Sequence, residues 1–413
     1  MSLLKNIRLW GDDIPFLCGL REKGEKAFTK SGLPNAQTEA WKYSYFKEDD
    51  LQNPQIDIEP IKCDGHCHQK EKLPFPAIQI KYCNGKIHCD DLDTPKGVVV
   101  KSLAEAIYDG DVKKYLNKSY EINNFPFAAL NTAYLEQGLF ILIESKTRLQ
   151  IPLYIHYYNH ADKNRLCNIR NVIVVENNTQ ATIVEHFEAE ADAVYTQNIV
   201  NEVYISSNAE LKHYIWQNEA ENAYHIALNS VQVKAGGAYN AFYANGKCKL
   251  SRHESHICLL QEGAQAKVNG VYRLQEKNQL CDITTNINHL APHTYSDQLV
   301  KGVALTAAKG VFQGKIHIAP DAQQCEGYQL HRALLTDENA EIDCKPELEI
   351  FADDVKCSHG ASSGDLDEEQ IFYMQARGIS EQEARQMLID AYINEVFALN
   401  ENYEISEWIK DSF

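Results

Sequence analysis

RNVIVVENNTQATIVEHF, residues 170–187, holds two strand-like runs, NVIVVE and ATIVEHF, joined by a short turn. Both runs are rich in β-branched residues, which suit a pleated, half-buried surface. The texture repeats on either side. FILIES and LYIHYY come before; EVYISS, ELKHYIW, SVQVKA, VNGVYRL, GVFQGKIHI and LEIFA come after, so that Leu139 to Val355 reads as nearly all strand. Many of these runs alternate apolar and polar residues. Ala181, Ala209, Ala238 and Ala264 each open a similar strand pair, at steps of roughly 26 to 29 residues, within the range that marks a solenoid. Strand-only repeats with short turns suggest a β-helix, each coil stacking on the last around a continuous apolar column. An antiparallel sandwich has similar turn spacing, and periodicity alone leaves the two open.

The flanks differ from this core. Asp12 to Lys30 has helical spacing, with Ile14, Leu17, Leu20 and Phe28 apolar, and Leu33-Pro34 stops it. A second helical stretch lies near Leu103 to Leu116, and Ala77–Tyr82 and Val98–Val100 between them look like strands. Past the core, Asp367 to Arg377 reads as a helix closed by Gly378 at a left-handed position. Ser380 and Glu383 then form a capping box, and Ala384, Leu388, Ala391, Tyr392, Val396 and Leu399 give an apolar stripe. The predicted organisation is a mixed region at 1–138, a strand core at 139–364 and a helical region at 365–413. Such a tail can cap an open solenoid end or dock a partner.

The chain has 413 residues, 44% of them hydrophobic, and a formal net charge of −18. That charge argues against nucleic acid and anionic membrane surfaces as partners. There is no apolar run of about 18 residues to form a transmembrane helix. The opening MSLLKNIRLWGDDIPF carries acids early and has no long apolar stretch, so it is not read as a secretory signal, and the expected location is cytoplasmic. The 12 cysteines follow no regular framework and are expected as thiols, packed or ligating.

Candidate chemistry concentrates in DDVKCSHGASSG, residues 353–364. Cys357 and His359 sit two apart at a strand end, which puts them on one face. Thiolate and imidazole together suit iron or zinc. Two ligands do not close a coordination sphere, so others must come from elsewhere in the fold, a second chain or an incoming cluster. The alternative is a packed cysteine beside a surface histidine. Cys63, His66, Cys67 and His68, in CDGHCH, have spacing that resembles a metal site, and the competing reading is an incidental Cys/His-rich loop. His289 and His293, in HLAPH, read as a turn. Neither a phosphate-binding G-x-x-x-x-G-K-[ST] nor G-x-S-x-G nor H-E-x-x-H occurs, so the chain should not hydrolyse ATP itself.

Longer stretches resemble the SufB/SufD core family of iron–sulfur cluster assembly. They include GLPNAQTEAWKYS at 32–44, FPFAALNTAYLEQGLFI at 125–141, RNVIVVENNTQATIVEHF, and most of 249–379, among them NHLAPHTYSDQLVKGV and EIDCKPELEIFADDVKCSHGASSGDLDEEQIFYMQARGI. The length, the WKYS element and DDVKCSHGA are similar to the SufD branch. The resemblance implies a right-handed parallel β-helix with an N-terminal mixed α/β region and a C-terminal α-helical region. It also implies a non-enzymatic scaffold that pairs through the β-helix with a SufB-like paralogue, docks a SufC-like ATPase through its C-terminal helices, and forms a homodimer when isolated. His359 would help hold a nascent cluster at the interface between the two β-helix subunits, with Cys357 beside it. No permanently bound cofactor is expected in the isolated subunit. The cluster is transient cargo, and a reduced flavin is linked to the complex, though no flavin fingerprint occurs here. Gln375 stands where the family often has arginine, which removes one basic contact. CDGHCH matches no family feature. Two rival functions are a β-helix carbohydrate-active enzyme and an independent Cys/His metal-binding protein.

Overall fold

The structure is a computed structural model and describes residues 9–45, 71–88, 92–135, 137–160 and 165–413. From Leu139 onward the chain alternates between two sheets, laying one strand in each per coil. Sheet 1 stacks Leu139–Ile143, Arg165–Val175, Tyr195–Ile205, Tyr224–Val233, Leu250–Leu259, Leu280–His289, Lys309–Ile318 and Glu341–Ile350. Sheet 2 stacks Leu153–Asn159, Gln180–Ala189, Glu210–Asn218, Ala238–Asn245, Gln265–Leu274, Tyr295–Ala304, Cys325–Leu335 and Val355–Gly364. All these neighbours pair in parallel, which excludes the antiparallel sandwich; the fold is a right-handed parallel β-helix. Ile78–Cys83 and Val98–Ser102 extend the two sheets at the N-terminal end.

The repeat has a backbone origin. Gln180, Glu210, Ala238, Gln265, Tyr295, Glu326 and Lys356 stack in one register column. Just before each of the first six, the turn from sheet 1 to sheet 2 passes through a left-handed residue: Asn178, Asn208, Gly236, Gly263, His293 and Gln324, with φ between 55° and 71°. Asn and Gly tolerate that region best, hence ENNTQ, SNAE, AGGA and EGAQ. His293 is therefore a turn residue, as its sequence suggests.

Inward side chains fill the coil. Isoleucine, valine and leucine stack from Ile78 to Ile287 in one continuous cluster. Running through it is a ladder of buried amides: Asn171 Nδ2 donates to Asn201 Oδ1 at 2.9 Å, and Asn201 Nδ2 to Asn229 Oδ1 at 2.8 Å. Tyr82, Tyr157, Glu185 and Tyr243 complete its hydrogen bonds. Buried amides cost free energy unless paired in this way, so the ladder fixes coil register.

Both outer faces are covered. The N-terminal layer lies on sheet 1. Its helix Pro15–Ser31 crosses Pro126–Ala133 so closely that a Cβ on Gly24 would stand 2.5 Å from the Ala133 amide nitrogen. The WKYS element is a clamp. The Arg252 guanidinium lies 4.2 Å from the Trp41 ring centroid and pairs with Asp282 at 2.5 Å, and Ser44 donates to the same carboxylate. Arg170 likewise pairs with Glu202 at 2.9 Å, both fully buried, while Glu202 accepts the amides of Asn117, Lys118 and Ser119.

Sheet 2 is covered by the C-terminal helices Glu368–Gln375, Glu381–Phe397 and Tyr403–Ser412. The predicted caps are present: Ser380 and Glu383 bond reciprocally, and Gly378 has φ 87°. The buried stripe differs from the expected one. Ala384 and Val396 are buried, and Leu388 and Tyr392 pack at the margin, but Ile389, Ile393 and Phe397 complete the buried face, while Ala391 and Leu399 are exposed. Lys301 sets this rotation. Its buried ammonium donates to Tyr392 O at 3.0 Å, lies 4.1 Å from the Tyr392 ring centroid and pairs with Glu395.

Candidate functional site

Among the described residues, backbone pairing stops on both sheets at the last coil, as it does at the N-terminal end beyond Lys86–His88 and Val98–Ser102. Glu341–Ile350 and Val355–Gly364 each bond a neighbour on one side only. Their other edges present free N–H and C=O groups, a template for a further strand. The edge is apolar as well: Ile350 and Phe351 are exposed, and Leu348, Val355 and Cys357 are only partly buried against Ile316, Ile318 and Cys325.

Cys357 and His359 lie on this terminal strand. Cys357 pairs with Gly327 and His359 with Gln329, positions in the inward-facing columns, so both side chains belong to the face that ends the solenoid bore. Cys357 is half-buried, and burial pushes its thiol pKa up. His359 is exposed. Cys344, on the facing sheet, is also half-buried and is pushed up to about 11 by burial. Protonated thiols ligate poorly until a metal displaces the proton. The structure thus keeps the sequence's pair together on an unpartnered edge and supplies no third close ligand: among the described residues, the group of three metal-competent side chains lies elsewhere.

Cys63, His66, Cys67 and His68 fall outside the described residues. His289 is buried, with Nδ1 bonded to Thr294 Oγ1 and Nε2 to Ser296 Oγ, both at 2.8 Å; burial pushes its pKa down to about 4. It is a satisfied core residue.

Sequence reasoning passed over a second cluster: His156, His186 and Glu188, on the outer face of sheet 2. His156 and His186 are register partners in adjacent coils, and Glu188 follows two residues on. His156 Nε2 meets Glu188 Oε2 at 3.0 Å, and this bond holds the Glu188 carboxyl below its usual range. Burial pushes His186 down to about 3, so its ring is neutral. The signal was present, since LYIHYYN and IVEHFEA place a histidine at the same point of successive coils, but it shows only once the register is known.

A two-sheet parallel solenoid clad on both outer faces, with Cys357 and His359 on the last strand of sheet 2, has the architecture of an iron–sulfur assembly scaffold. The chain belongs to the SufBD family. Residues 157–392 match the family model described as SUF system FeS cluster assembly, SufBD core domain, and residues 8–155 match the SufBD protein N-terminal region. The chain is 32% identical to an iron-sulfur cluster assembly SufBD family protein of Synechocystis sp., over 74% of this chain and 69% of the relative. It is 32% identical to the chloroplastic protein ABCI7 of Arabidopsis thaliana, over 76% and 68%. It is 27% identical to the iron-sulfur cluster assembly protein SufD of Escherichia coli, over 89% and 85%. Among the described residues no helix is long and apolar enough to cross a membrane.

Proposed function

We propose that this chain is a SufD-type scaffold subunit that offers His359, with Cys357 beside it, to a nascent iron–sulfur cluster at the junction with a SufB-like paralogue. The observation that carries this reading is the open terminal coil, where an exposed imidazole stands on a strand whose outer edge is unpaired. A partner strand added there would satisfy the edge and bring its own ligands within reach of His359. The same edge can pair with a second copy when the chain is alone, giving a homodimer. The cluster is cargo in this scheme and leaves with its acceptor, and the chain itself makes and breaks no covalent bond.

The helical tail is the proposed dock for a SufC-like ATPase. Phe372 is 72%, Tyr373 59% and Met387 52% exposed on its outer surface, and clustered exposed apolar side chains of this kind mark interaction sites. A carbohydrate-active enzyme is disfavoured because both outer faces, where a substrate groove would run, are covered by packed helices. Co-expression with SufB-like and SufC-like partners tests the proposal: one ternary complex that matures a cluster is expected, and a chain that purifies alone under those conditions contradicts it.

A further inference from the structure

The cluster on sheet 2 lies far from the open end, six strands along the sheet from the His359 strand, or about 29 Å at the usual spacing. We infer that His156, His186 and Glu188 form a binding site for one divalent first-row transition-metal ion, distinct from the cluster site at His359. Three observations converge. The donor atoms of all three lie within 4.8 Å of one another, and ligands bound at about 2.1 Å around one ion stand roughly 3 to 3.5 Å apart, so closure needs only small rotamer shifts. The hydrogen bonding leaves a donor free: Tyr154 Oη engages His186 Nδ1 at 2.7 Å, leaving Nε2 to the metal, and a ring rotation from the parallel arrangement of His156 and His186 (5.1 Å, 12°) brings both lone pairs toward one ion. His156 Nδ1 faces Glu71 Oε1 at 3.5 Å without a hydrogen bond, close enough that a small shift would let the outer carboxylate steady the ring as a ligand. Finally, the site is walled: Trp408 stands edge-on to His186 at 5.2 Å, and Trp216 lies parallel to it at 6.4 Å.

Two imidazoles and a carboxylate suit Zn2+ or Fe2+ and do not suit Mg2+ or Ca2+. The ligands come from two adjacent strands of a rigid sheet, so little ordering is needed on binding.

The test uses the full chain, stripped with chelator and titrated with Zn2+ by calorimetry, and with Fe2+ under anaerobic conditions. Wild type should bind one more equivalent than Glu188→Gln or His186→Asn, and Zn2+ should raise the melting temperature of wild type but not of either variant. Comparing stoichiometries removes any metal bound elsewhere. Glu188 is partly exposed, so the glutamine variant will fold even if the asparagine variant does not. His359→Ala should keep the equivalent, which separates this site from the proposed cluster site. Equal stoichiometry and affinity in wild type and Glu188→Gln overturns the inference. An equivalent lost in His359→Ala and kept in Glu188→Gln also overturns it.

Discussion

Replacing Lys301 with methionine removes an ammonium and keeps the aliphatic stem. In the native chain that ammonium is 1% exposed, donates to Tyr392 O, faces the Tyr392 ring and pairs with a Glu395 that is 54% exposed. A hydrogen bond from a charged donor contributes about 1.5–3 kcal/mol. The cation–π contact adds about 1 kcal/mol, and the half-exposed ion pair adds less than about 1 kcal/mol. Against these stands the desolvation of the ammonium, which the variant no longer bears and which offsets a few kcal/mol. The net loss should be about 2 kcal/mol, confined to the helix Glu381–Phe397, whose apolar face still holds it in place. Hydrogen exchange by mass spectrometry reads this directly: amides of 381–397 should exchange about 30-fold faster in Lys301→Met, at one decade per 1.4 kcal/mol. Peptides from the solenoid should not change, and Glu395→Gln should have less than about half of the effect in free energy. Unchanged exchange in Lys301→Met would mean that apolar packing alone sets the helix rotation, and the anchoring role argued for Lys301 would be wrong.

Other outcomes follow from the same geometry. The Lys301 hydrogen bond holds Glu395 below the usual carboxylate range, so its stabilisation is complete above the unfolded value near about 4.3. That stabilisation is lost as pH falls through the lower folded value; exchange in 381–397, corrected for intrinsic pH effects, should accelerate below about pH 4 in wild type and stay flat in Lys301→Met. Gly24→Ala forces a methyl against the Ala133 backbone and should cost about 1–3 kcal/mol, seen as a lower melting temperature; an unchanged melting temperature would show that the two helices can separate freely. Phe372→Asp with Tyr373→Asp should leave the melting temperature within error and abolish co-purification with a SufC-like ATPase, and retained co-purification places that dock elsewhere.

The repeat was legible because its cause is local: the turns before Gln180, Glu210, Ala238, Gln265, Tyr295 and Glu326 pass through a left-handed residue and the strands favour β-branched residues, so the period is written into SNAE, AGGA and EGAQ. Parallel pairing was not, since an antiparallel sandwich turns at similar intervals and only the register separates the two. The pair Cys357 and His359 was legible for a similar reason, since two residues on one strand share a face in any register. What stayed hidden depends on register or packing partners. His156, His186 and Glu188 meet only when coils stack. The buried pairs Arg170–Glu202 and Arg252–Asp282 join residues one coil apart, and N-terminal groups, among them Trp41, Ser44, Asn131, Thr132 and the amides of 117–119, complete their bonding. These contacts also account for two of the motifs that carry the family resemblance, WKYS and FPFAALNTAYLEQG: Trp41, Ser44, Asn131 and Thr132 fasten the N-terminal layer to the solenoid. The helix 381–397 was recognised by its caps, but its buried face was misassigned by part of a turn because Lys301, some 80 residues earlier in the chain, sets the rotation.

The most direct measurement is cluster formation on the complex of this chain with its SufB-like and SufC-like partners, comparing wild type with His359→Ala. Iron, acid-labile sulfide and visible absorbance would be followed after anaerobic reconstitution. His359→Ala alters one exposed side chain, so the complex should assemble with unchanged stoichiometry while most of the cluster signal is lost. A complex of His359→Ala that assembles and matures as much cluster as wild type would contradict the placement of the nascent cluster at the open end of this solenoid.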